Sequence, residues 1–181
     1  MQSTNVDRGS RPLRLHHHAF VVRDQEATRR FYEEIIGLPL VATWCEEEDF
    51  GAGLVSYCHT FYEVADGSCL AFFQFADSAA AEEFGLAGSP SPFDHVALLA
   101  TEDIREAVAG RAAAAKARTR LIDHGYCKSL YVEDPDGLLI ELDVDAPSAI
   151  DDATKNRANA HAELERWRAG DHTSNNIYRP E

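Results

Sequence analysis

The chain of 181 residues carries 17 basic against 31 acidic side chains, a formal charge of −14, so nucleic-acid backbones and anionic membrane surfaces would repel it. A hydrophobic content of 45% and a charged content of 27% fit an ordinary soluble protein, with one sizeable core or two small modules. No apolar leader or membrane-length apolar run is present and the four cysteines form no CxxC pair, which predicts a cytoplasmic protein with reduced thiols.

Residues 1–12 read as a flexible arm. Residues 13–22 end in branched and aromatic side chains and read as a strand. Asp24 is a fitting N-cap for a helix over 25–36. Ala27, Phe31 and Ile35 share one face of that helix, and Gly37 suits its C-cap. A second strand is expected over 39–44, with Pro39 at its first position. The acidic run Glu46-Glu47-Glu48-Asp49, with Gly51 and Gly53, reads as a solvated loop. Strands over 54–64 and 69–75 complete a first βαβββ module at 13–76.

Residues 77–92 read as a linker holding a short helix and the stretch Gly88-Ser89-Pro90-Ser91-Pro92. A second module at 93–145 repeats the order: a strand over 93–100, an Ala-rich helix over 102–118, and strands over 119–122, 128–133 and 138–144. Residues 146–181 form a C-terminal helix and polar tail. Ala160, Leu164 and Trp167 lie on one face of that helix; capping its own fold is the commoner use of such a face, packing on a partner the other.

The two modules echo each other. His17-His18-Ala19-Phe20-Val21 is matched by His95-Val96-Ala97-Leu98-Leu99, and Asp66-Gly67 by Asp136-Gly137. A lone strand histidine is more often a packed or surface residue, and a lone strand glutamate is usually solvated. The echo favours another reading, in which His17, His95 and Glu141 hold a divalent metal between two halves. Two imidazoles and a carboxylate on one side of a cation leave its other positions open, which suits non-heme Fe(II), or Mn(II) or another divalent ion.

The turn Asp134-Pro135-Asp136-Gly137 bears on that site. Asp and Pro at its first two positions favour a type I turn, and Gly137 can take the left-handed conformation that follows. A three-residue loop at 135–137 sets Tyr131 opposite Glu141 on one face, whereas a two-residue loop would set Leu130 there. The opposite face of the last strand, with Leu138, Ile140, Leu142 and Val144, is wholly apolar and should meet helices.

These residues resemble the vicinal oxygen chelate superfamily, the glyoxalase, bleomycin-resistance and extradiol dioxygenase group. His17 to Asp24, Phe31-Tyr32 and Ile36-Gly37-Leu38 carry the likeness in the first module. His95 to Leu98, His124-Gly125, Ser129-Leu130-Tyr131, Asp134 to Gly137 and Ile140-Glu141-Leu142 carry it in the second. The resemblance implies an α+β fold of two βαβββ modules forming a mixed, cupped sheet around a metal site, with helices on the outer face. It implies His17, His95 and Glu141 as the metal ligands. The superfamily's fourth ligand position falls on Ala71, and Gln74 nearby points to the other face.

The chain is thus most similar to three-ligand members such as extradiol dioxygenases and fosfomycin-resistance enzymes. An Fe(II) dioxygenase acting on a small catechol-like or vicinal-oxygen substrate is the leading expectation. A glyoxalase-like lyase or isomerase or a thiol transferase using Mn(II), Ni(II) or Zn(II), and a non-catalytic resistance-type binding protein, are the alternatives. Tyr131 resembles a tyrosine that extradiol enzymes keep beside the metal-bound substrate, and His59 and His124 are the candidates for their acid–base histidine. A homodimer is the assembly expected of two-module members.

Overall fold

The computed structural model describes residues 12–51, 53–85, 91 and 93–178, so most of the expected arm and of the Gly-Ser-Pro linker lies outside the described residues. The chain divides into two compact units, Met1–Ser89 and Pro90–Glu181. No helix among the described residues is long and apolar enough to cross a membrane.

In the first unit, strand β1 (His17–Val21) leads through Asp24 into helix α1 (Gln25–Arg29). The Asp24 carboxylate accepts from the Glu26 and Ala27 amides at 2.8 and 3.3 Å, satisfying two otherwise orphaned donors. The helix continues without a break as a π-helical segment (Arg30–Ile36) and ends where Gly37 adopts φ 93°, its amide donating to the Tyr32 carbonyl at 2.8 Å. Strands β2 (Leu40–Asp49), β3 (Leu54–Glu63) and β4 (Cys69–Phe75) follow, and the sheet order is β1-β4-β3-β2. Helix α2 (Ser78–Phe84) closes the unit.

The core of this unit lies between the helix and the sheet, where Phe31, Tyr32, Ile36, Tyr62, Leu70 and Phe72 are buried. The Tyr32 and Phe72 rings lie 4.4 Å apart, and each buried aromatic of this kind contributes about 2–3 kcal/mol through its burial.

The structure corrects one expectation here. The acidic run is no loop: Glu46, Glu47 and Glu48 extend β2 and pair with Tyr57, Ser56 and Val55 of β3. The hydroxyls of Tyr57 and Ser56 donate to Glu46 and Glu47, both at 2.9 Å, so the carboxylates find partners across the ladder.

The second unit repeats the plan with β5 (His95–Leu99), α3 (Glu102–Ala114), β6 (Thr119–Asp123), β7 (Cys127–Glu133) and β8 (Leu139–Asp145), in the order β5-β8-β7-β6. Both sheets are mixed: β1 runs parallel to β4 and β5 parallel to β8, while the other pairs are antiparallel. Val108 and Ala112 of α3 are buried, as are Leu130, Val132, Ile140 and Leu142 of one sheet face. The apolar face read from the sequence therefore forms the core.

Helix α4 (Pro147–Arg168) departs from the commoner expectation. Leu164 and Trp167 remain 55% and 58% exposed, so its apolar stripe does not cap the unit that carries it. The tail turns back on the helix instead. Arg166 pairs with Asp171 at 2.9 Å, His172 stacks on Trp167, and Asn176 Nδ2 donates to the His124 carbonyl at 3.0 Å.

Candidate metal centre

The turn chemistry places a cluster of candidate residues in the second unit. Asp134 accepts from the amides of Asp136 and Leu138 at 2.9 and 2.8 Å, and Gly137 takes φ 92°. The loop therefore spans three residues, and Tyr131 lies opposite Glu141. Parallel pairing with β5 sets Ala97 opposite Glu141 and His95 opposite Leu139, so His95, Tyr131 and Glu141 share one face.

Glu141 is 4% exposed, and its Oε2 lies 2.8 Å from His95 Nε2. The other imidazole nitrogen, Nδ1, lies 2.7 Å from the Phe93 carbonyl. A carbonyl can only accept, so Nδ1 carries the proton and Nε2 turns toward the carboxylate. Between these two atoms only a cation fits well, either a proton or a metal ion. The backbone tether on the second nitrogen is the orienting contact that metal-binding histidines commonly have.

Tyr131 completes this cluster. Burial first, and then its hydrogen bond to Glu141, hold the phenol well above its ordinary value. His124 Nε2 lies 3.2 Å from the Tyr131 hydroxyl. With the phenol donating to Glu141, the His124 N–H donates to the phenol oxygen. Arg120 sits over the Tyr131 ring, 5.4 Å from its centroid. Along the same face the Ser129 hydroxyl donates to Asp143, so that carboxylate is already committed.

In the first unit, the equivalent register pairs His17 with Cys69, Ala19 with Ala71, and Phe61 with Ala71. Ala71 thus stands where Glu141 stands in the second unit, and Phe61 where Tyr131 stands. This unit repeats the histidine of the cluster but neither its carboxylate nor its phenol. Gln74 points away from that face and accepts from the Gln25 amide at 2.8 Å.

His17 Nδ1 lies 2.7 Å from His16 Nδ1, so one of the two rings donates. With His17 as donor, its Nε2 carries the free lone pair, as in His95. Its ring centroid is 6.0 Å from that of His59. His59 stacks on Phe73 at 3.6 Å, and its buried Nε2 has no hydrogen-bond partner among the described residues. Burial first, then the neighbouring His17, push its pKa down. Neither unit by itself gathers three His, Cys, Asp or Glu side chains around one point among the described residues.

The lowered pKa of His59 is expected to make the metal-free fold sensitive to acid. Its folded pKa lies below the unfolded value of about 6.5, so the unfolded chain takes up the proton first. Stability is therefore full above that value, falls as the pH drops through it, and stops falling once the folded pKa is passed. His59→Phe removes a nitrogen that has no partner to lose. We expect stability at pH 8 to change by less than about 1 kcal/mol, and the thermal midpoint to fall less between pH 7 and pH 5 than in the parent. An equally steep decline in the variant would exclude His59 as a source of that slope.

Three features of the site escaped the sequence reading. The His95 tether depends on where the backbone places the Phe93 carbonyl, and the link from the tail to His124 joins distant segments. The Ser129–Asp143 pair had a signal, since both lie on the face that carries Tyr131 and Glu141.

Comparison with known proteins agrees with this architecture. A crystal structure of a glyoxylase/bleomycin resistance protein/dioxygenase domain from Frankia sp. EAN1pec is 17% identical, with 73% of this chain and 90% of that one covered and a TM-score of 0.55. The oxidase ChaP-H2 is 21% identical, with 74% and 94% covered and a TM-score of 0.51. The fosfomycin resistance protein FosX of Listeria monocytogenes, solved with Mn(II) and sulfate, is 19% identical, with 77% and 98% covered and a TM-score of 0.53. At these identities the likeness is one of fold. No curated protein matches the chain. The family match is direct and spans residues 14–142, covering β1 through Leu142 of β8. With its duplicated βαβββ units and that match, the chain belongs to the Glyoxalase/Bleomycin resistance protein/Dioxygenase superfamily.

Proposed function

We propose that the protein is a metal-dependent enzyme whose cation is held by His95, Glu141 and His17. The observation that carries this reading is the buried Glu141 carboxylate facing a tethered His95 Nε2 at 2.8 Å, with the Tyr131 hydroxyl bonded to the same carboxylate. Nitrogen and carboxylate donors of this kind suit Fe(II), Mn(II), Ni(II) or Zn(II). Such an ion, when bound, supplies Lewis acidity and, if it is iron, a route to dioxygen chemistry.

The favoured reaction is an extradiol-type cleavage of a small catechol-like substrate, with Fe(II) as the metal. The chain's own groups would act around that substrate. Tyr131, held protonated, would turn its single O–H from Glu141 to a substrate oxygen. His124, bonded to the phenol, fixes its orientation. His59, with an unpartnered nitrogen, is the residue able to take up and return a substrate proton. Arg120 offers a positive charge beside the same ring.

The test is to load the untagged, metal-free protein with Fe(II) under anaerobic conditions and then measure oxygen uptake with a panel of catechols. Uptake at one oxygen per substrate, with the yellow absorbance of a ring-opened product, is expected. No uptake with any diol would remove the dioxygenase reading. Turnover of an epoxide, hemithioacetal or similar substrate with Mn(II) or Zn(II) under argon would establish the Lewis-acid alternative, which the same donor set also suits. Failure to bind any divalent metal would leave the resistance-type binding protein.

A further inference from the structure

A second cluster of reactive side chains lies on β2 and β3, apart from the histidine face. Cys45 and Cys58 stand directly opposite each other in this ladder. All four cysteines are free thiols, Cys45 exposed and Cys58 half-buried. Partners across an antiparallel pair share a face, and alternation along β3 puts Cys58 on the side opposite His59 and Phe61.

The backbone decides how close these two thiols come. The Ala76 amide donates to the Ser56 carbonyl at 2.9 Å, so Ser56 turns its backbone groups toward β4. Cys58, two residues further along a regular strand, turns the same way and pairs through hydrogen bonds with Gln74. Cys58 and Cys45 are therefore a non-hydrogen-bonded pair, the type in which opposite Cα atoms approach to about 4.5 Å and side chains come closest. That spacing lies inside the range of about 4.4–6.8 Å that a disulfide spans.

They are also accessible. Cys45 and Cys58 line an open cleft of 760 Å³ with Gln25, Glu47, Tyr57 and Gln74. β2 is an edge strand of its sheet, with β3 as its neighbour on one side only. The other two cysteines lack this arrangement: Cys69 lies opposite His17 and Glu63, and Cys127 opposite Asp145.

We infer that Cys45 and Cys58 form a thiol–disulfide exchange site for small disulfides, closing a cross-strand bond that fastens the edge strand β2 to β3. The exposed Cys45, as its thiolate, attacks one sulfur of a disulfide RSSR, giving a Cys45–SR mixed disulfide and releasing one RS⁻. Cys58 then gives up its proton and displaces the second RS⁻, closing the Cys45–Cys58 bond. The two protons lost by the protein end on two RSH, and the two electrons of the dithiol have reduced one disulfide. Burial raises the pKa of Cys58, which makes it the slower, resolving partner and Cys45 the point of entry.

The experiment is to equilibrate the full chain in glutathione buffers of increasing oxidised fraction, then count free thiols and map peptides by mass spectrometry without reduction. Thiols are expected to fall from four to two, with Cys45 and Cys58 in one linked peptide, and to return to four with dithiothreitol. In Cys58→Ser the reaction should stop at a stable glutathione adduct on Cys45. Four thiols persisting in oxidised glutathione, a stable adduct on the parent's Cys45, or a link involving Cys69 or Cys127 would each overturn the inference. The parent protein decides the question by itself should the variant not fold.

Discussion

Replacing Glu141 with alanine is expected to lower divalent-metal affinity by about 100-fold or more, and turnover with it. Losing a residue that merely orients a ligand typically costs about 10- to 100-fold, so losing a ligand should cost at least the upper end of that range. Among the described residues of the two sheets, the two candidate replacements are already excluded. Asp143, two residues along β8, is bonded to Ser129, and the equivalent position in the first unit is Ala71. The fold itself has little to lose, because a carboxylate 4% exposed has been taken out of water at a cost of several kcal/mol. Without metal, the thermal midpoint of Glu141→Ala should therefore equal or exceed that of the parent. With metal at about 100 times its dissociation constant, the parent gains about 2.7 kcal/mol and the variant should gain none. Calorimetry with and without metal reads both quantities. A variant stabilised by metal as strongly as the parent would sink the assignment of Glu141 as a ligand.

The contrast between Glu141 and Ala71 also shows how far the sequence could carry the argument. The repeat was legible because identical registers recur, with His17 and His95 opening each unit and an Asp-Gly turn preceding each last strand. The pairing of Tyr131 with Glu141 was legible because Asp134, Pro135 and Gly137 admit few turn types, and turn type fixes register. The acidic stretch of β2 was not legible, since like charges argue against a strand. The hydroxyls that bond those carboxylates sit on the partner strand, and solvent screens an exposed edge. The π-helical winding over Arg30–Ile36 leaves no local signal either, because a 3.6-residue period over one short helix cannot resolve one extra residue per turn. Nor could sequence tell which of the six possible pairs of the four thiols is close. Only the alternation of hydrogen-bonded and open pairs along β3 makes Cys45 and Cys58 neighbours.

Tyr131→Phe should separate binding from turnover. The phenol is bonded to Glu141 and His124 and is not itself a proposed ligand, so the variant should take up metal as the parent does. Its turnover should fall by about 100-fold, the lower end of what a positioned proton donor contributes. The loss belongs in kcat if the hydroxyl bonds the substrate oxygen only as charge develops there, and in KM if it bonds the bound substrate equally. Burial and Glu141 raise the phenol of the metal-free protein above its ordinary value of about 10, so in the proposed reading Tyr131 is a donor at neutral pH. The pH–rate profile below pH 10 should therefore keep its shape in the variant and simply drop. In the proposed reading His124, 3.2 Å from this hydroxyl, acts through it as a positioning residue. His124→Gln should cost less than Tyr131→Phe, and the double variant should be no slower than Tyr131→Phe alone. Independent, additive losses would mean that His124 meets the substrate itself. Parent-like turnover in Tyr131→Phe would leave the phenol as packing against Arg120 and His95.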